Sequence, residues 1–373
     1  MRYVVAPDSF KGSLSARDAA AAIARGIRQA HSNADIIEFP LADGGEGTLD
    51  LIAAHEACEC ALMSVPGADG KLLDARYGLI DAPQGTTAVI ETAAVVGASQ
   101  RWAQGVLARS TVGIGTLIRA LQARGIERFI VALGGSATND AGAGMLSALG
   151  AKFLDAGGQI LEPGPAALQA LDRVDLSQLR RPHSLLGLAD VDNELLGPSG
   201  ATHMFGPQKG LALADVPAVD ATLARYARLC DNALNVAAHS LPGSGAAGGL
   251  GYAVALLGGE LISGADWLLE RYHFDALVSG ADWLITGEGK SDAQTLRGKG
   301  PWRVASLAKR SGVRTLLLCG ALDMAAWPGL NAQFDEVHAI GIEGEADSMR
   351  EAAKRLENAA MRWAQDAGKT LSR

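Results

Sequence analysis

The chain begins with a short apolar run, a polar loop and an alanine-rich segment, YVVAPDSFKGSLSARDAAAAIARGIRQA (residues 3–30). Residues 3–6 are the apolar run and residues 7–13 the polar loop. Ser15 is the predicted N-cap of a helix that extends to about residue 30, and Asp18 favours its first turn by charge. This strand–loop–helix order is typical of α/β proteins.

The same strand–loop order recurs along the chain, but residues 58–92 have a different pattern. Strands predicted at 36–41, 128–133, 185–189 and 281–286 each lead into a polar loop. Residues 58–92 instead indicate a β-meander. We therefore predict an α/β protein of two domains. One domain is formed by both termini (1–57 and 281–373), and the other (58–280) is inserted.

Composition restricts the partners of the chain. Its 373 residues carry a net charge of −8. Because nucleic acids select basic surfaces, this charge argues against a nucleic-acid partner. The most apolar stretch, residues 245–262, is interrupted by glycines and a glutamate, so we expect no membrane span. The four cysteines lack zinc or C-x-x-C spacing. We expect a cytoplasmic monomer or homodimer that binds neither nucleic acid nor membrane.

Five loops combine glycine with acidic, hydroxyl or cationic side chains. They lie at 8–11 (DSFK), 43–48 (DGGEGT), 134–140 (GGSATND), 190–193 (DVDN) and 287–292 (GEGKSD). Ligands of α/β sheets bind at the carboxyl ends of strands, where such loops lie. Glycine lets the backbone approach a ligand, and helix N-termini offer N–H groups to anions. Taken singly, each loop could equally be a tight turn or a helix cap.

Two nucleotide-binding motifs are incomplete. The GKS at 289–291 lacks the upstream glycine of a P-loop, because residue 284 is leucine. The segment 243–248 (GSGAAG) matches G-x-G-x-x-G, but no convincing strand precedes it. Close helix packing explains these glycines as well as a nucleotide does.

Six motifs in one order resemble the type-1 glycerate kinase family, from near residue 1 to the C-terminus. They are APDSFKGSLSA (6–16), ADGGEGT (42–48), GGSATND (134–140), FGPQKG (205–210), GAAGGLG (245–251) and ITGEG (285–289). The resemblance implies phosphorylation of D-glycerate by ATP with Mg²⁺, and it favours 2-phosphoglycerate as the product. It also implies that the domain formed by both termini is a flavodoxin-like parallel-sheet domain, that the inserted domain is mixed α/β, and that the active site lies in the cleft between them. Two segments depart from the family pattern, 193–195 (NEL) and 107–112 (LARSTV).

The loops and the resemblance together give the candidate site residues. The predicted catalytic residues are Asp8, Lys11, Asp43 and Glu46, with Asp43 or Asp8 as general base. The predicted substrate-binding residues are Ser9, Lys209, Arg297 and Lys299. The predicted ATP-binding residues are Gly134, Gly135, Ser136, Thr138, Asn139, Gly248 and Gly249, and the metal ligands are Asp190, Glu288 and Asp292. The alternatives are a kinase for another small hydroxy acid and a non-catalytic nucleotide- or metabolite-binding protein.

Overall fold

The computed structural model describes residues 1–341 and 351–370. The strands are, in chain order, β1 (Arg2–Val5), β2 (Asp35–Glu38), β3 (Cys58–Pro66), β4 (Leu72–Ile80), β5 (Thr87–Glu91), β6 (Arg128–Ala132), β7 (Lys152–Leu154), β8 (Arg173–Asp175), β9 (Ser184–Leu188), β10 (Glu260–Ile262), β11 (Trp283–Ser291), β12 (Arg314–Leu322) and β13 (Glu336–Ala339).

The helices complete the architecture. They are α1 (Ala16–Ala30), α2 (Thr48–His55), α3 (Thr92–Val96), α4 (Val112–Gln122), α5 (Ala143–Ala148), α6 (Pro165–Leu168), α7 (Ala201–Phe205), α8 (Val216–Leu234), α9 (Ala246–Leu256), α10 (Gly264–Arg271), α11 (Phe274–Val278), α12 (Gly300–Arg310), α13 (Trp327–Gln333) and α14 (Ala352–Thr370). Short 3₁₀ helices occur at Val106–Ala108, Pro207–Lys209, Ala238–Ser240 and Thr295–Arg297. Within the described residues, no helix is both long and apolar enough to cross a bilayer.

Internal contacts divide the chain into two compact units. Unit 1 combines Met1–Ala42 with Leu268–Arg373, and unit 2 is Asp43–Trp267. These boundaries lie upstream of 57/58 and 280/281, the ones expected from the sequence. Helix α2 belongs to unit 2 because it packs on β3, β4 and β5, and α11 belongs to unit 1 because it packs on α12. That the two units act as the two expected domains stays a prediction.

Unit 1 contains a five-stranded parallel sheet in the order β13-β12-β11-β1-β2. Counted within the unit from the other edge, the order is 2-1-3-4-5, as in flavodoxin-like folds. Helices α1 and α14 bury their apolar residues against β1, β11 and β12. The strand order reverses between β1 and β11, so the segments after these two strands meet at one place on the sheet edge.

Unit 2 contains a six-stranded mixed sheet in the order β10-β9-β6-β5-β4-β3. Strands β5, β6, β9 and β10 are parallel, whereas β3 and β4 form an antiparallel meander with β5. The four parallel strands end at the same edge, which places the segments that follow them side by side. The expected α/β class, with a parallel sheet and a second mixed sheet, is confirmed.

One predicted loop is in fact part of a strand. Residues 287–291 continue β11, and Glu288 lies opposite Cys319 in β12. The loop prediction is wrong for these residues because β12 extends to Leu322 and supplies a pairing partner as far as Ser291. The sheet therefore fixes the backbone of Glu288.

Candidate active site

In unit 1, the loop after β1 lies against the end of β11. The Asp8 N–H donates a hydrogen bond to the Gly287 carbonyl oxygen at 2.8 Å. A Cβ atom on Gly289 would lie 3.2 Å from the backbone nitrogen of Lys11, so glycine permits the close approach of these two backbone segments. The structure thus brings the predicted residues of the 8–11 loop beside Glu288, at the point where the strand order reverses.

Glu288 is buried and held by three donor groups. The hydroxyls of Ser291 and Thr295 both donate to its Oε1, at 2.8 and 2.6 Å. The Lys299 Nζ lies 3.7 Å from Oε2. Burial raises the pKa of Glu288, while the two hydroxyl hydrogen bonds and Lys299 act in the opposite direction. These contacts fix the orientation of the carboxyl group.

The other predicted residues near Glu288 have more local roles. The Asp292 Oδ1 accepts a hydrogen bond from the Gln294 N–H at 2.8 Å, as in a turn. Arg297 is exposed at the end of its 3₁₀ helix, and Lys299 occupies the N-cap position of α12. The Asp8 Oδ1 accepts the Ser9 N–H at 2.6 Å. Arg297 is therefore more accessible than Lys299.

In unit 2, two glycine-rich loops touch backbone to backbone. The Gly134 N–H donates to the Gly44 carbonyl oxygen at 2.9 Å, and a Cβ atom on Gly134 would lie only 2.5 Å from the Gly45 Cα. A side chain at 134 would thus force the two loops apart. Asp43 and Glu46 are exposed on the 43–48 loop, and the Asp43 Oδ1 accepts the Gly45 N–H at 3.0 Å.

Lys209 braces the 134–140 loop from within the protein. Its Nζ donates to the Ser136 Oγ at 2.9 Å and to the Thr138 carbonyl oxygen at 2.8 Å. Burial lowers the pKa of Lys209 to about 7, and the charge of Asp140 acts against that shift. Arg109 donates to the Lys209 carbonyl oxygen at 3.2 Å, which ties a second cation to the same region.

Asp140 anchors the end of this loop. It is fully buried, and its carboxylate accepts hydrogen bonds from the Thr111 N–H and hydroxyl and from the N–H groups of Gly142 and Gly144. Burial raises the pKa of Asp140, while these hydrogen bonds lower it. The carboxylate thereby joins the starts of α4 and α5 to the loop, which is a structural role.

Two neighbouring side chains keep polar atoms without a protein partner. Asn139 donates through Nδ2 to the Thr202 Oγ1 at 3.1 Å. Its Oδ1 and the Thr138 Oγ1 are buried and have no hydrogen-bond partner within the described part of the chain. Buried polar atoms normally find a partner, so a bound ligand or an ordered water fits here.

Gly248 and Gly249 pack against the same loop. Ala247, Gly248 and Gly249 have left-handed φ angles of 54°, 67° and 85°, respectively. A Cβ atom on Gly248 would lie 2.0 Å from the Thr138 carbonyl oxygen, and one on Gly249 would lie 2.7 Å from the Ala141 Cα. Both glycines pack closely on other protein atoms, as the packing interpretation of this motif expects.

The predicted metal ligands lie in both units, with Asp190 in unit 2 and Glu288 and Asp292 in unit 1. The Asp190 Oδ1 accepts from the Ser263 Oγ at 3.1 Å and from the Ala265 N–H at 3.3 Å, in the first turn of α10. Among residues 1–341 and 351–370, no group of three or more His, Cys, Asp or Glu side chains is placed to hold a metal. Magnesium bound together with a nucleotide needs only one or two protein carboxylates. Asp190, Glu288 and Asp292 each carry carboxylate oxygens of the kind that Mg²⁺ prefers.

Sequence reasoning missed Glu91 and Arg109. Glu91 is the last residue of β5, its Oε1 accepts the Leu49 N–H at 2.8 Å, and burial raises its pKa to about 6. An acid at the carboxyl end of a predicted strand was a usable signal for Glu91. The contact of Arg109 with the carbonyl of Lys209, 100 positions away, leaves no local pattern.

Comparison with known proteins gives one consistent result. The sequence profile of the glycerate kinase family matches residues 3–368. Glycerate kinase of Bacillus subtilis (strain 168) is 39% identical over 96% of each chain, and glycerate 2-kinase of Escherichia coli (strain K12) is 38% identical over 93% of each. A crystal structure described as a candidate glycerate kinase 2 from Salmonella typhimurium LT2 has a TM-score of 0.82 at 36% identity and covers 100% of both chains.

Fold, loops and these matches together define a phosphotransferase. More narrowly, the chain belongs to the glycerate kinase family. The resemblance carried by the six ordered motifs is therefore confirmed.

Proposed function

We propose that this chain transfers the γ-phosphoryl group of ATP to D-glycerate, with Mg²⁺, and forms 2-phosphoglycerate. The observation that carries the proposal is the match, over 93% of both chains, to a relative named glycerate 2-kinase. The site adds chemical support, because phosphoryl transfer requires positioning and charge stabilisation more than covalent catalysis. Both units hold carboxylates and cations at the carboxyl ends of parallel strands.

The 134–140 loop is the proposed phosphate- and ribose-binding element for ATP. The N–H of Gly134 is already donated to Gly44, so the N–H groups of Gly135 and Ser136 are the next backbone donors. The buried Thr138 hydroxyl and Asn139 amide oxygen, which lack partners among the described residues, add a hydroxyl and an acceptor. Gly248 and Gly249 support the loop from the side of Thr138 and Ala141.

Acidic and cationic side chains are the proposed general base, the ligands of the anionic groups and the ligands of Mg²⁺. Asp43 or Asp8 accepts the proton of the attacking hydroxyl, and Asp43 suits this role because it is exposed and only its Oδ1 has a hydrogen-bond partner in the described chain. The proposed ligands of the glycerate carboxylate or the transferring phosphoryl group are Ser9, Lys11, Lys209, Arg297 and Lys299. The proposed carboxylate ligands of Mg²⁺ are Asp190, Glu288 and Asp292. Bound Mg²⁺ would neutralise charge on the phosphate oxygens.

Release of ADP tests the proposal against its two rivals. The protein is incubated with MgATP and D-glycerate, or with a panel of other small hydroxy acids and sugar acids, and ADP is measured. Turnover with D-glycerate well above the rest of the panel is the expected result. A higher kcat/KM for another acid would identify a different kinase, and ATP binding by calorimetry without ADP from any acid would identify a binding protein.

Location and assembly are part of the proposal. All four cysteines are free thiols, which suits a reducing compartment, and we propose a cytoplasmic location. Monomer or homodimer remains the prediction for the oligomeric state.

A further inference from the structure

Helix α2 is capped from the sheet rather than from its own sequence. Its N-cap residue is Gly47, at a φ of 92°, which has no side chain to accept a backbone N–H. The Leu49 N–H in the first turn donates instead to the Glu91 Oε1 at 2.8 Å. A carboxylate at a helix N-terminus satisfies an otherwise unpaired donor and interacts favourably with the helix dipole. The two residues are 42 positions apart, so the contact fixes tertiary structure.

The capped turn directly follows the 43–47 loop. That loop carries the candidate base Asp43 and the acid Glu46, and at its start Gly44 and Gly45 pack closely on the backbone of Gly134. The cap from Glu91 holds the other end of the loop, where α2 begins. The Gly134 contact is backbone only, whereas the Glu91 contact depends on a group that can be protonated.

The environment of Glu91 makes its ionised form costly. Burial is the largest cause that raises its pKa to about 6, and the charges of Asp50 and Glu46 raise it further. The Leu49 N–H and the charge of Arg76 lower it. Arg76 is itself paired with Asp50, at 2.6 Å between Nη1 and Oδ1.

Two hydroxyls that adjoin this contact in sequence are also buried. Thr48 and Thr92, which adjoin Leu49 and Glu91 in sequence, each have a buried Oγ1 without a hydrogen-bond partner in the described residues. A buried acid with a perturbed pKa among unsatisfied polar atoms is more typical of a functional position than of a purely structural one.

We propose that Glu91 is a positioning residue for phosphoryl transfer, whose ionised carboxylate caps α2 and thereby holds the 43–47 loop in its active arrangement. The inference rests on the proposed function of that loop. Protonation converts the carboxylate into a weaker acceptor for the Leu49 N–H, so the loop loosens and turnover falls in acid. Glu91 contacts neither substrate in this role and acts through the loop alone.

The test compares kcat and KM for D-glycerate between pH 5 and pH 8 in the wild type, Glu91→Gln and Glu91→Ala. Glu59→Gln, on exposed β3, is the matched control and should follow the wild-type profile. Gln is neutral, like the protonated acid, so its amide oxygen accepts the same N–H more weakly and Glu91→Gln should lower kcat about threefold at pH 8. Because ATP titrates equally in both proteins, the informative quantity is the ratio of the wild-type kcat to the Glu91→Gln kcat. That ratio should fall from about three at pH 8 towards one at pH 5, as the carboxylate with a pKa of about 6 is neutralised.

Glu91→Ala should lower kcat about fivefold at pH 8, the effect of losing a helix cap, with a smaller change in KM. Superimposable pH profiles for the wild type and Glu91→Gln would overturn the proposal, as would a Glu91→Ala enzyme with wild-type kcat. If Glu91→Ala does not fold by circular dichroism, the Glu91→Gln profile decides alone. A wild type that forms no ADP at pH 8 would refute the proposed function instead, so the two failures are distinguishable.

Discussion

The two candidate regions are built by different means. Around Glu288 in unit 1, side chains define the geometry: two hydroxyls and a lysine surround one carboxyl group. Around Gly134 in unit 2, the backbone defines it, since the loops meet where no Cβ atom fits. A side-chain network tolerates graded change, because a substitute with the same acceptor keeps part of it. A backbone contact tolerates almost no substitution, because any added atom moves the main chain.

The largest effect is expected where the backbone contact is broken. Gly134→Ala puts a Cβ atom 2.5 Å from the Gly45 Cα and must displace one of the two loops. A displacement of about 1 Å at a reacting centre lowers kcat/KM by about 100-fold. Steady-state ADP release measures the change. Gly105→Ala is the control, since its Cβ atom would meet nothing within 4 Å, and equal activities of the two variants would contradict the role of the backbone contact.

The side-chain network should give a smaller and graded effect. Glu288→Ala removes the acceptor of the Ser291 and Thr295 hydroxyls in a buried site, and should lower the free energy of unfolding by about 2 kcal/mol. Glu288→Gln keeps an acceptor oxygen and should lower it by less than about 1 kcal/mol. Urea denaturation of both variants provides the measurement. The same loss for Gln and Ala would show that the two hydroxyl contacts do not stabilise unit 1.

Glu91, a buried acid in unit 2, should show a pH-dependent effect on stability. The pKa of Glu91 is raised from 4.5 to about 6 on folding, so the stability that it contributes is present below pH 4.5 and is lost as the pH rises through 6. Glu91→Gln should therefore be more stable than the wild type by about 1 to 2 kcal/mol at pH 8, and equally stable at pH 4. Thermal unfolding at both pH values measures this, and a pH-independent difference would be inconsistent with a raised pKa.

The smallest effect concerns strain in the backbone that supports the 134–140 loop. Ala247 has a left-handed φ of 54°, which disfavours an L-residue by about 1 to 2 kcal/mol. Glycine removes that strain but gains entropy in the unfolded chain, so Ala247→Gly should stabilise the protein by about 0.5 kcal/mol. Ala255→Gly, in the regular part of α9, should destabilise it by about 1 kcal/mol. If both variants lose stability in urea denaturation, Ala247 is unstrained.

The sequence predicts what depends on local pattern. Apolar runs followed by glycine and polar residues indicate β1, β6 and β9 with the loops after them, and also the start of β11, because strand ends and turns have local chemical requirements. Residues 287–291 were misread as a loop, because glycine suggests a turn and the length of the pairing strand β12 is not visible locally. The sequence predicts Lys209 as a substrate ligand, but it does not reveal that two acceptors distant in sequence, at Ser136 and Thr138, bind its ammonium group. The capping of α2 by Glu91 likewise depends on tertiary structure.

Product identification is the most direct test of the proposed reaction. The protein is incubated with MgATP and D-glycerate, and the product is passed to enolase, which accepts 2-phosphoglycerate, with and without phosphoglycerate mutase. Formation of phosphoenolpyruvate without the mutase is the expected result. A signal only after the mutase is added would contradict phosphorylation of the 2-hydroxyl group, and no signal in either case would contradict the phosphorylation of D-glycerate itself.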